Sequence, residues 1–363
     1  MNRLRVVFIA LSAVFAFSAC DDDNTAEENA KNYEIPATYD FENVSYTGQT
    51  QRLDMLEELT AYMKTANSGA VLDAQVMLDM YANENSPFDN SDLNQASKQL
   101  QNKTIDADIE MFQKYIRDFA AATEAATGEG SNGTPGVVTS NDGSKQYFFD
   151  ANGLEHIQYI EKGLMGSCFY FQGVSIYLAS GKMEVDNEAI EEGKGTAMEH
   201  HWDEAFGYFG VPTDFPANTE GIRFWGKYAN GRDALLGSNQ VLMDAFIAGR
   251  AAISNKDLEA RDEQIDIIRN EWEKVSAATA VHYLNKANAS FADDAIRNHV
   301  VSEAWAFIHA LKYNPNKKVT NAEVTAMLSD LGENFYNITP ENINAVKAKL
   351  VSTYGFEAIQ NDL

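Results

Sequence analysis

Apolar residues recur at intervals of three and four through long stretches of the sequence, and this periodicity constrains the fold more than any other feature. One stretch places Ile105, Ile109, Phe112, Ile116 and Phe119 on a single helical face. The segments "LDMLEELTAYM" and "IDIIRNEWEKV" repeat the rhythm, and only 7 prolines interrupt the chain. Because this is the period of an amphipathic helix, the sequence predicts an all-α fold.

A small β-hairpin is predicted between the helices. The segment "VVTSNDGSKQYFF", residues 137–149, has apolar residues on both sides of a turn at Asn141 to Gly143. No short-period repeat and no clear linker divides the rest of the chain. The sequence therefore predicts one helical domain over residues 36–363, built as two adjoining bundles with an uncertain boundary and with the hairpin inserted.

The first twenty residues have the pattern of a secretory signal. Arg3 and Arg5 precede the apolar run "VVFIALSAVFAF", which is shorter than a membrane span, and small residues then lead to Cys20. This pattern predicts a bacterial lipoprotein signal peptide over residues 1–19, with Cys20 acylated as the first residue of the mature chain. An ordinary signal peptide that is cleaved elsewhere is the alternative.

An acidic segment, "DDDNTAEENAKN", follows Cys20 and shows no apolar periodicity. Such a composition predicts a disordered tether over residues 20–35. An acidic run behind a lipidated cysteine resembles the export signals that send some lipoproteins to the cell surface. We therefore expect attachment to the outer membrane through Cys20, at the cell surface or on the periplasmic face.

The charge balance excludes nucleic acid as a partner. The chain has 28 Lys and Arg against 54 Asp and Glu, which gives a formal net charge of −26. Binding to phosphate backbones requires clusters of basic side chains, and a chain this acidic repels them. The acidity favours cationic partners but does not identify one.

Familiar catalytic signatures are missing from the sequence. We find no G-x-S-x-G, no H-E-x-x-H, no G-x-x-x-x-G-K and no paired C-x-x-C. Only six histidines are available to a metal site. Cys168 lies among aromatic residues in "GSCFYFQG" and is expected to be a small buried residue rather than a nucleophile.

The segment "MEHHWDEAFGYFG" holds the strongest group of candidate ligands. Thr196 is a suitable N-cap for a helix that would contain it. His201 and Glu204 are three residues apart, and His200 and Glu204 are four apart, so each pair shares a helical face. Such a pair can chelate a metal ion. The alternative is a helix-stabilising pair, with Trp202 and its aromatic neighbours in the core.

The segment "GLEHIQYIEKG" opens a second, almost wholly apolar helix, which is predicted from Leu154 to about Ala179. An apolar surface all round predicts a central position in the fold. Gly163, Gly166 and Gly173 fall inside this helix, where glycine costs about 1 kcal/mol relative to alanine. Their presence predicts the close approach of a neighbouring helix or a ligand.

This second segment resembles the motif of the imelysin-like proteins, G-x-H-x-x-E at the start of a helix. Gly153 and Gly163 match the two glycines of the pattern. Glu155, however, stands at the histidine position and Gln158 at the glutamate position. His156 lies one place late, which turns it by about 100° around the helix. The segment looks like an imelysin motif whose ligand pair has been replaced.

Other segments carry the same resemblance. They are "YDFENVSYTGQTQRLDMLEEL", "EKGLMGSCFYFQ" and "HHWDEAFGYFG", and they are similar to a branch, of uncharacterised function, of imelysin-related bacterial lipoproteins. The resemblance implies two related four-helix bundles, a lipid-anchored or secreted location, and an association with iron acquisition. It also implies a metallopeptidase activity described for the founding member, which the replaced motif argues against.

These observations predict a non-enzymatic binding protein of the cell envelope that takes a metal or a small ligand and works with an envelope transport partner. A zinc-type metallopeptidase using His201 and Glu204 is one alternative. A metal-free surface partner of a transporter or a glycan is another. If a metal binds, Glu155 and His156 are expected to join the first pair, because four mixed N and O ligands suit iron, zinc or manganese.

Overall fold

The protein is described by a computed structural model that covers residues 33–363. Most of this part of the chain is α-helical. The helices are α1 (Thr47–Lys64), α2 (Ala74–Ala82), α3 (Ser91–Gln95), α4 (Asp106–Ala125), α5 (His156–Leu164), α6 (Ser180–Met183), α7 (Ala197–Phe209), α8 (Trp225–Leu236), α9 (Ser238–Ser254), α10 (Leu258–Ala289), α11 (Asp294–Ala310), α12 (Asn321–Leu331) and α13 (Pro340–Tyr354). Short 3-10 turns cover Thr65–Ser68, Gln101–Lys103 and Phe335–Asn337.

A two-stranded antiparallel hairpin lies between α4 and α5. Strand β1 (Gly136–Thr139) pairs with β2 (Gln146–Phe149), and Val137 stands opposite Phe148. The backbone N–H of Asn141 in the turn donates to Asp293 at the start of α11, at 2.8 Å. The prediction of an all-α fold with a small hairpin is therefore confirmed.

The longest helix, α10, lies at the centre of the fold and packs against α8, α9, α11 and α13. Trp272 is fully buried near its middle, with its ring 5.2 Å from that of Phe209 and 5.9 Å from that of Trp225. Ala277, Ala278 and other small residues follow it. Small side chains let the neighbouring helices approach closely, so α10 can be covered on several faces at once.

The helix that begins as α5 changes its winding after nine residues. Two π-helical stretches follow, Met165–Tyr170 and Gln172–Tyr177. The predicted helix from Leu154 to Ala179 is thus present, but its second half is π-helical rather than α-helical. Apolar periodicity does not distinguish the two windings here, because most residues of this helix are buried and no polar face marks the number of residues per turn.

The three glycines of this helix mark close approaches by its neighbours. A Cβ atom on Gly163 would lie 2.7 Å from Phe112 of α4, and one on Gly166 would lie 2.8 Å from the Cβ of Ala310 in α11. A Cβ on Gly173 would meet the indole of Trp272. The predicted close packing is confirmed, and side chains of neighbouring helices account for it.

Helix α7 begins at Thr196, as the sequence predicts. The hydroxyl of Thr196 accepts a hydrogen bond from the backbone N–H of Glu199 at 3.2 Å. The carboxylate of Glu199 accepts one in return from the backbone N–H of Thr196 at 2.9 Å. This reciprocal capping box satisfies two N–H groups that a helix start leaves unpaired.

A buried ionic cluster holds α7 against α9. Arg250 is 1% exposed, and its guanidinium donates to Asp203 at 3.0 Å and to Glu199 at 2.6 Å. The hydroxyl of Tyr39 donates to Asp203 at 2.6 Å. Burial raises the pKa of Asp203 to about 6, even though Arg250 and the hydrogen bonds oppose that effect. These contacts fix the face that α7 turns outward.

Residues Ile35–Leu363 form one compact unit, and their division into two bundles stays a prediction. Among residues 33–363, no helix combines the length and the apolar character that crossing a membrane requires. The predicted signal peptide, Cys20 and nearly all of the predicted tether lie outside the described residues.

Candidate functional site

Helix α7 turns His200, His201 and Glu204 toward a partly exposed face. Trp202 and Asp203 lie between them in the sequence and are fully buried on the opposite side. The helical period of 3.6 residues produces this separation. Of the two predicted pairs on α7, the one formed by His201 and Glu204 is in contact.

Both carboxylate oxygens of Glu204 already have partners within the protein. Oε2 accepts a hydrogen bond from Nδ1 of His201 at 2.9 Å, and Oε1 accepts one from Nε2 of Gln49 at 3.0 Å. Burial alone would raise the pKa of Glu204, but these two hydrogen bonds, together with the nearby imidazoles of His200 and His201, lower it. The carboxylate of Glu204 is therefore ionised and is fixed in position by His201 and Gln49.

A cavity of about 340 Å³ opens beside this face, between α7, the start of α1 and the segment that leads into α4. Its walls carry four basic side chains, Arg52, Lys98, Lys103 and Lys194. Among the described residues that line it, Glu204 is the one carboxylate. In the whole chain acids outnumber bases by 54 to 28, so the charge balance is reversed here. Such a concave positive surface attracts anions.

Lys103 is held against the side chain of Tyr177. Its Nζ donates to the hydroxyl of Tyr177 at 3.1 Å and lies 5.3 Å from the centre of that ring. Burial, followed by the positive charge of Arg52, lowers the pKa of Lys103. An anion placed between these two bases would stabilise their charged forms.

Arg52 is buried and held in place by the backbone. Its Nε donates to the carbonyl of Gln99 at 2.8 Å and its Nη1 to the carbonyl of Gly48 at 3.1 Å. A Cβ atom on Gly48 would lie 2.9 Å from Cε of Lys98. The absence of a side chain at Gly48 thus leaves room for Lys98 beside Arg52.

His200 contributes a polar but uncharged wall. Burial lowers its pKa, and Glu204 offsets this only in part while His201 and Lys194 add to it. Within residues 33–363, the buried Nδ1 atom of His200 has no hydrogen-bond partner. This imidazole is neutral at pH 7.

The first turn of α1 adds to the positive character of the cavity. Thr47, Gly48 and Gln49 belong to that turn and line the cavity. The turn contains no acidic residue, and Tyr46 at the N-cap provides no side-chain hydrogen bond. A helix start of this kind presents backbone N–H groups and the positive end of the helix dipole.

The other predicted pair lies at the start of α5 and has its own partners. Oε2 of Glu155 is 2.5 Å from Nδ1 of His299 in α11, and Oε1 accepts a hydrogen bond from Nε2 of Gln158 at 2.9 Å. Nε2 of His299 is 3.5 Å from Glu303. Glu155 is buried, at 1% exposure. Its carboxylate therefore belongs to a buried network between α5 and α11.

His156 points to a different neighbour. Its Nε2 is 3.4 Å from Oδ2 of Asp150, and its ring stacks on Phe119 with a centroid distance of 5.8 Å. The imidazole is buried, at 4% exposure. The contacts of His156, with Asp150 and Phe119, are thus separate from those of Glu155.

The structure does not bring the four predicted ligands into one group. In the described part of the chain, no hydrogen bond or ion pair joins His201 or Glu204 to Glu155 or His156. Nor are any three His, Cys, Asp or Glu side chains of residues 33–363 arranged to share a metal ion. In the described residues, His201 and Glu204 therefore do not share a metal-binding group with Glu155 and His156. A role for His201 and Glu204 in ligand binding stays a prediction.

Comparison with known proteins assigns the chain to a family. The model of a domain of unknown function (DUF4856) matches residues 36–357. The chain belongs to that family. The match extends from before α1 to beyond α13 and so includes the cavity and both predicted pairs. No curated protein and no solved structure matches the chain. The likeness to imelysin-like proteins stays a prediction.

The four bases of the cavity were not predicted from the sequence. Arg52, Lys98, Lys103 and Lys194 come from different segments, and no local motif connects them. The start of α1 gives no signal either: it has no acidic residue in its first turn, but neither do α2, α5, α8 and α9.

Proposed function

We propose that this chain is a non-enzymatic binding protein of the cell envelope and that the cavity beside α7 binds a small, multiply charged anion. The observation that carries the proposal is the reversal of charge. Four basic side chains line the cavity in a chain with 54 acidic and 28 basic residues. The acidic remainder of the surface repels anions, so the cavity is where they would be retained.

Two basic side chains of the cavity are held in fixed positions, which favours specific binding of an anion over diffuse attraction. Arg52 and Lys103 are held by hydrogen bonds to Gln99 and Tyr177, so little side-chain order has to be gained when a ligand binds. Partial burial also strengthens each charge interaction, because water screens it less than on an open surface. A preorganised basic cavity is suited to a specific anion.

Polycarboxylates and phosphate esters are the ligand classes that fit these walls. Guanidinium and ammonium groups bind both through charge-assisted hydrogen bonds. The neutral imidazole of His200 and the hydroxyl of Tyr177 supply uncharged polar contacts at the same cavity. Separate bases on different walls favour a ligand with more than one negative group.

The proposal also accommodates an anionic metal chelate. A bare cation is repelled by Arg52 and Lys103, and the oxygens of Glu204 are engaged by Gln49 and His201. A metal chelate with excess negative charge is attracted by these bases and does not need the oxygens of Glu204 as metal ligands. Iron acquisition, if it is the role of this chain, would then proceed through the chelate and not through protein ligands.

We place the zinc-type peptidase second. Such an enzyme requires three protein ligands and an open coordination position. His201 and Glu204 offer two, and their contact with each other occupies one oxygen of the carboxylate. A metal-free partner of a transporter or a glycan stays the third alternative, and lipid attachment through Cys20 is compatible with all three.

Calorimetric titration with a set of ligands tests the proposal. Citrate, inorganic phosphate and ferric citrate represent the anions, and zinc chloride represents a bare cation. We expect at least one of the anions to bind and zinc not to bind. Binding of zinc with no response to any anion would overturn the proposal.

The variant Glu204→Gln separates the two interpretations. Removal of this carboxylate makes the cavity more positive, so the affinity for the anion should rise or stay the same. A metal site or a peptidase centre at Glu204 would lose its function in the same variant. Circular dichroism melting of both proteins controls for any change in folding.

A further inference from the structure

A second cavity of about 500 Å³ lies between α1, the end of α5 and the start of α8. Its apolar part comes from Met165, Phe224 and Tyr228. Its size suits a small organic molecule, since ligand sites commonly range from about 300 to 1,000 Å³. None of the residues predicted as ligands from the sequence lines it.

The charged residues of this cavity are balanced. Lys64 and Lys227 provide two positive groups, and Glu57 and Glu161 provide two negative ones. A ligand with a single sign of charge would be attracted by one pair and repelled by the other. A ligand that carries both charges meets a favourable partner for each in the same cavity.

Glu161 is held in its ionised form at the wall of this cavity. Its Oε2 accepts a hydrogen bond from Nζ of Lys162 at 2.6 Å. Burial alone would raise the pKa of Glu161, but Lys162, Lys64 and Lys227 together lower it. The side chain is only 12% exposed, so its charge acts in a poorly screened environment.

Phe224 reaches the cavity from a strained backbone. Its φ is 43° and its ψ is −112°, a conformation that bulky residues rarely adopt. The backbone N–H of the preceding residue, Arg223, donates to the carbonyl of Gly210 at 2.8 Å and helps to hold the turn. Strained residues of this kind are found at ligand-binding positions because the surrounding structure has to maintain them.

Thr60 adds an unsatisfied polar group to the same cavity. This residue of α1 is 4% exposed, and in the described part of the chain its hydroxyl has no hydrogen-bond partner. A buried hydroxyl without a partner is unfavourable. A ligand with a hydrogen-bonding group beside Thr60 would give this hydroxyl a partner.

We propose that this second cavity binds a zwitterion with an apolar body, of the size of a short peptide. The ammonium group would lie near Glu57 and Glu161, and the carboxylate near Lys64 and Lys227. The apolar side chains would contact Met165, Phe224 and Tyr228. This site is distinct from the basic cavity beside α7, and its test is independent of the anion proposal.

The dipeptide Leu-Phe with free ends is the probe, and calorimetric titration is the measurement. Its N-acetylated and C-amidated forms are titrated in parallel. We expect the free dipeptide to bind and each blocked form to bind at least about tenfold more weakly, because each lacks one charge. Equal binding of all three would show an apolar cavity alone and would overturn the proposal, as would no binding of the free dipeptide.

Variants locate the binding within the protein. Lys227 is exposed, so Lys227→Met should fold normally and should weaken the free dipeptide by about tenfold or more. Lys145→Met makes the same change in the hairpin turn, outside the cavity, and should have no effect. Equal affinity of wild type and Lys227→Met would place the binding elsewhere and contradict the assignment.

Discussion

Glu155 at the start of α5 and His299 in α11 are joined by a hydrogen bond of 2.5 Å, although 144 residues separate them in the sequence. Gln158 donates to the second oxygen of Glu155 at 2.9 Å. Both oxygens of Glu155 are thus engaged, and its contact with His299 ties α5 to α11.

This contact predicts a pH dependence of stability. Burial alone would lower the pKa of His299, but Glu155 and Glu303 outweigh burial and raise it. A histidine whose pKa is raised by folding stabilises the native state below its unfolded pKa of about 6.5, and this stabilisation is lost as pH rises through the folded value. Urea unfolding at a series of pH values should show it. As the pH rises above about 6.5, the wild-type free energy of unfolding should fall more steeply than that of Glu155→Gln.

Two further residues act on His299, and the control substitution has to leave both unchanged. Tyr147 stacks on the imidazole at a centroid distance of 4.0 Å, and Lys162 opposes its protonation. Glu263→Gln makes the same chemical change at an exposed position of α10 and should keep the wild-type slope. An equal slope in Glu155→Gln and wild type would show that this pair does not control the titration.

The contact between Gly249 and Trp202 predicts a large effect of a single methyl group. A Cβ atom on Gly249 would lie 2.1 Å from Cζ2 of Trp202. The indole cannot move freely, because it is fully buried and its N–H donates to the carbonyl of Phe246 at 2.9 Å. Gly249→Ala should therefore lower the free energy of unfolding by about 1–3 kcal/mol or more.

Gly231→Ala is the matched substitution. Gly231 lies within α8, and a Cβ atom there would have no neighbour within 4 Å. The change should raise the free energy of unfolding by about 0.5–1 kcal/mol, since alanine is the better helix former. Chemical denaturation of both variants measures the two effects. A Gly249→Ala protein as stable as wild type would show that α7 and α9 are packed less closely than described.

The buried ionic cluster predicts a severe loss of stability when its cation is removed. Arg250 is 1% exposed and Asp203 is fully buried, so Arg250→Met leaves a carboxylate without its countercharge. We expect a loss of about 3–5 kcal/mol in urea denaturation. Arg117→Met at an exposed position of α4 should change stability by less than about 0.5 kcal/mol. Similar effects of the two substitutions would refute this assignment.

Lipid attachment can be tested with the two cysteines of the chain. Cys20→Ala should abolish the lipid adduct and release the protein from membranes, as measured by intact mass and by fractionation. Cys168→Ala is the control, because Cys168 is fully buried and should leave membrane attachment unchanged. An undiminished membrane fraction of Cys20→Ala would remove the predicted anchor.

Local patterns predicted much of the fold. The apolar spacing along α4 predicted that helix, and Thr196 was predicted to cap the start of α7. The turn at Asn141 to Gly143 predicted the hairpin. Each of these depends on residues within a few positions of one another. Such features can be predicted because backbone period and turn chemistry are local.

The candidate site was less accessible to the sequence. The packing of α1, α7 and the segment before α4 brings together Arg52, Lys103 and Lys194. None of the three stands in a local motif that would mark it as part of a site. Long-range packing decides which bases meet, so periodicity and motif spacing do not identify them. The π-helical winding after α5 was not visible in the spacing of apolar residues either.

The most direct test of the proposed function uses whichever of citrate, inorganic phosphate and ferric citrate binds wild type most tightly. Its affinity is measured by calorimetry at low and at physiological ionic strength for wild type, Lys103→Met and Lys145→Met. If the basic cavity binds anions, wild type and Lys145→Met should bind this anion equally, and added salt should weaken both. Lys103→Met should bind about tenfold more weakly or worse, because it lacks one charge-assisted hydrogen bond. Equal affinity of all three proteins, or no binding of any of the three anions by wild type, would contradict the account.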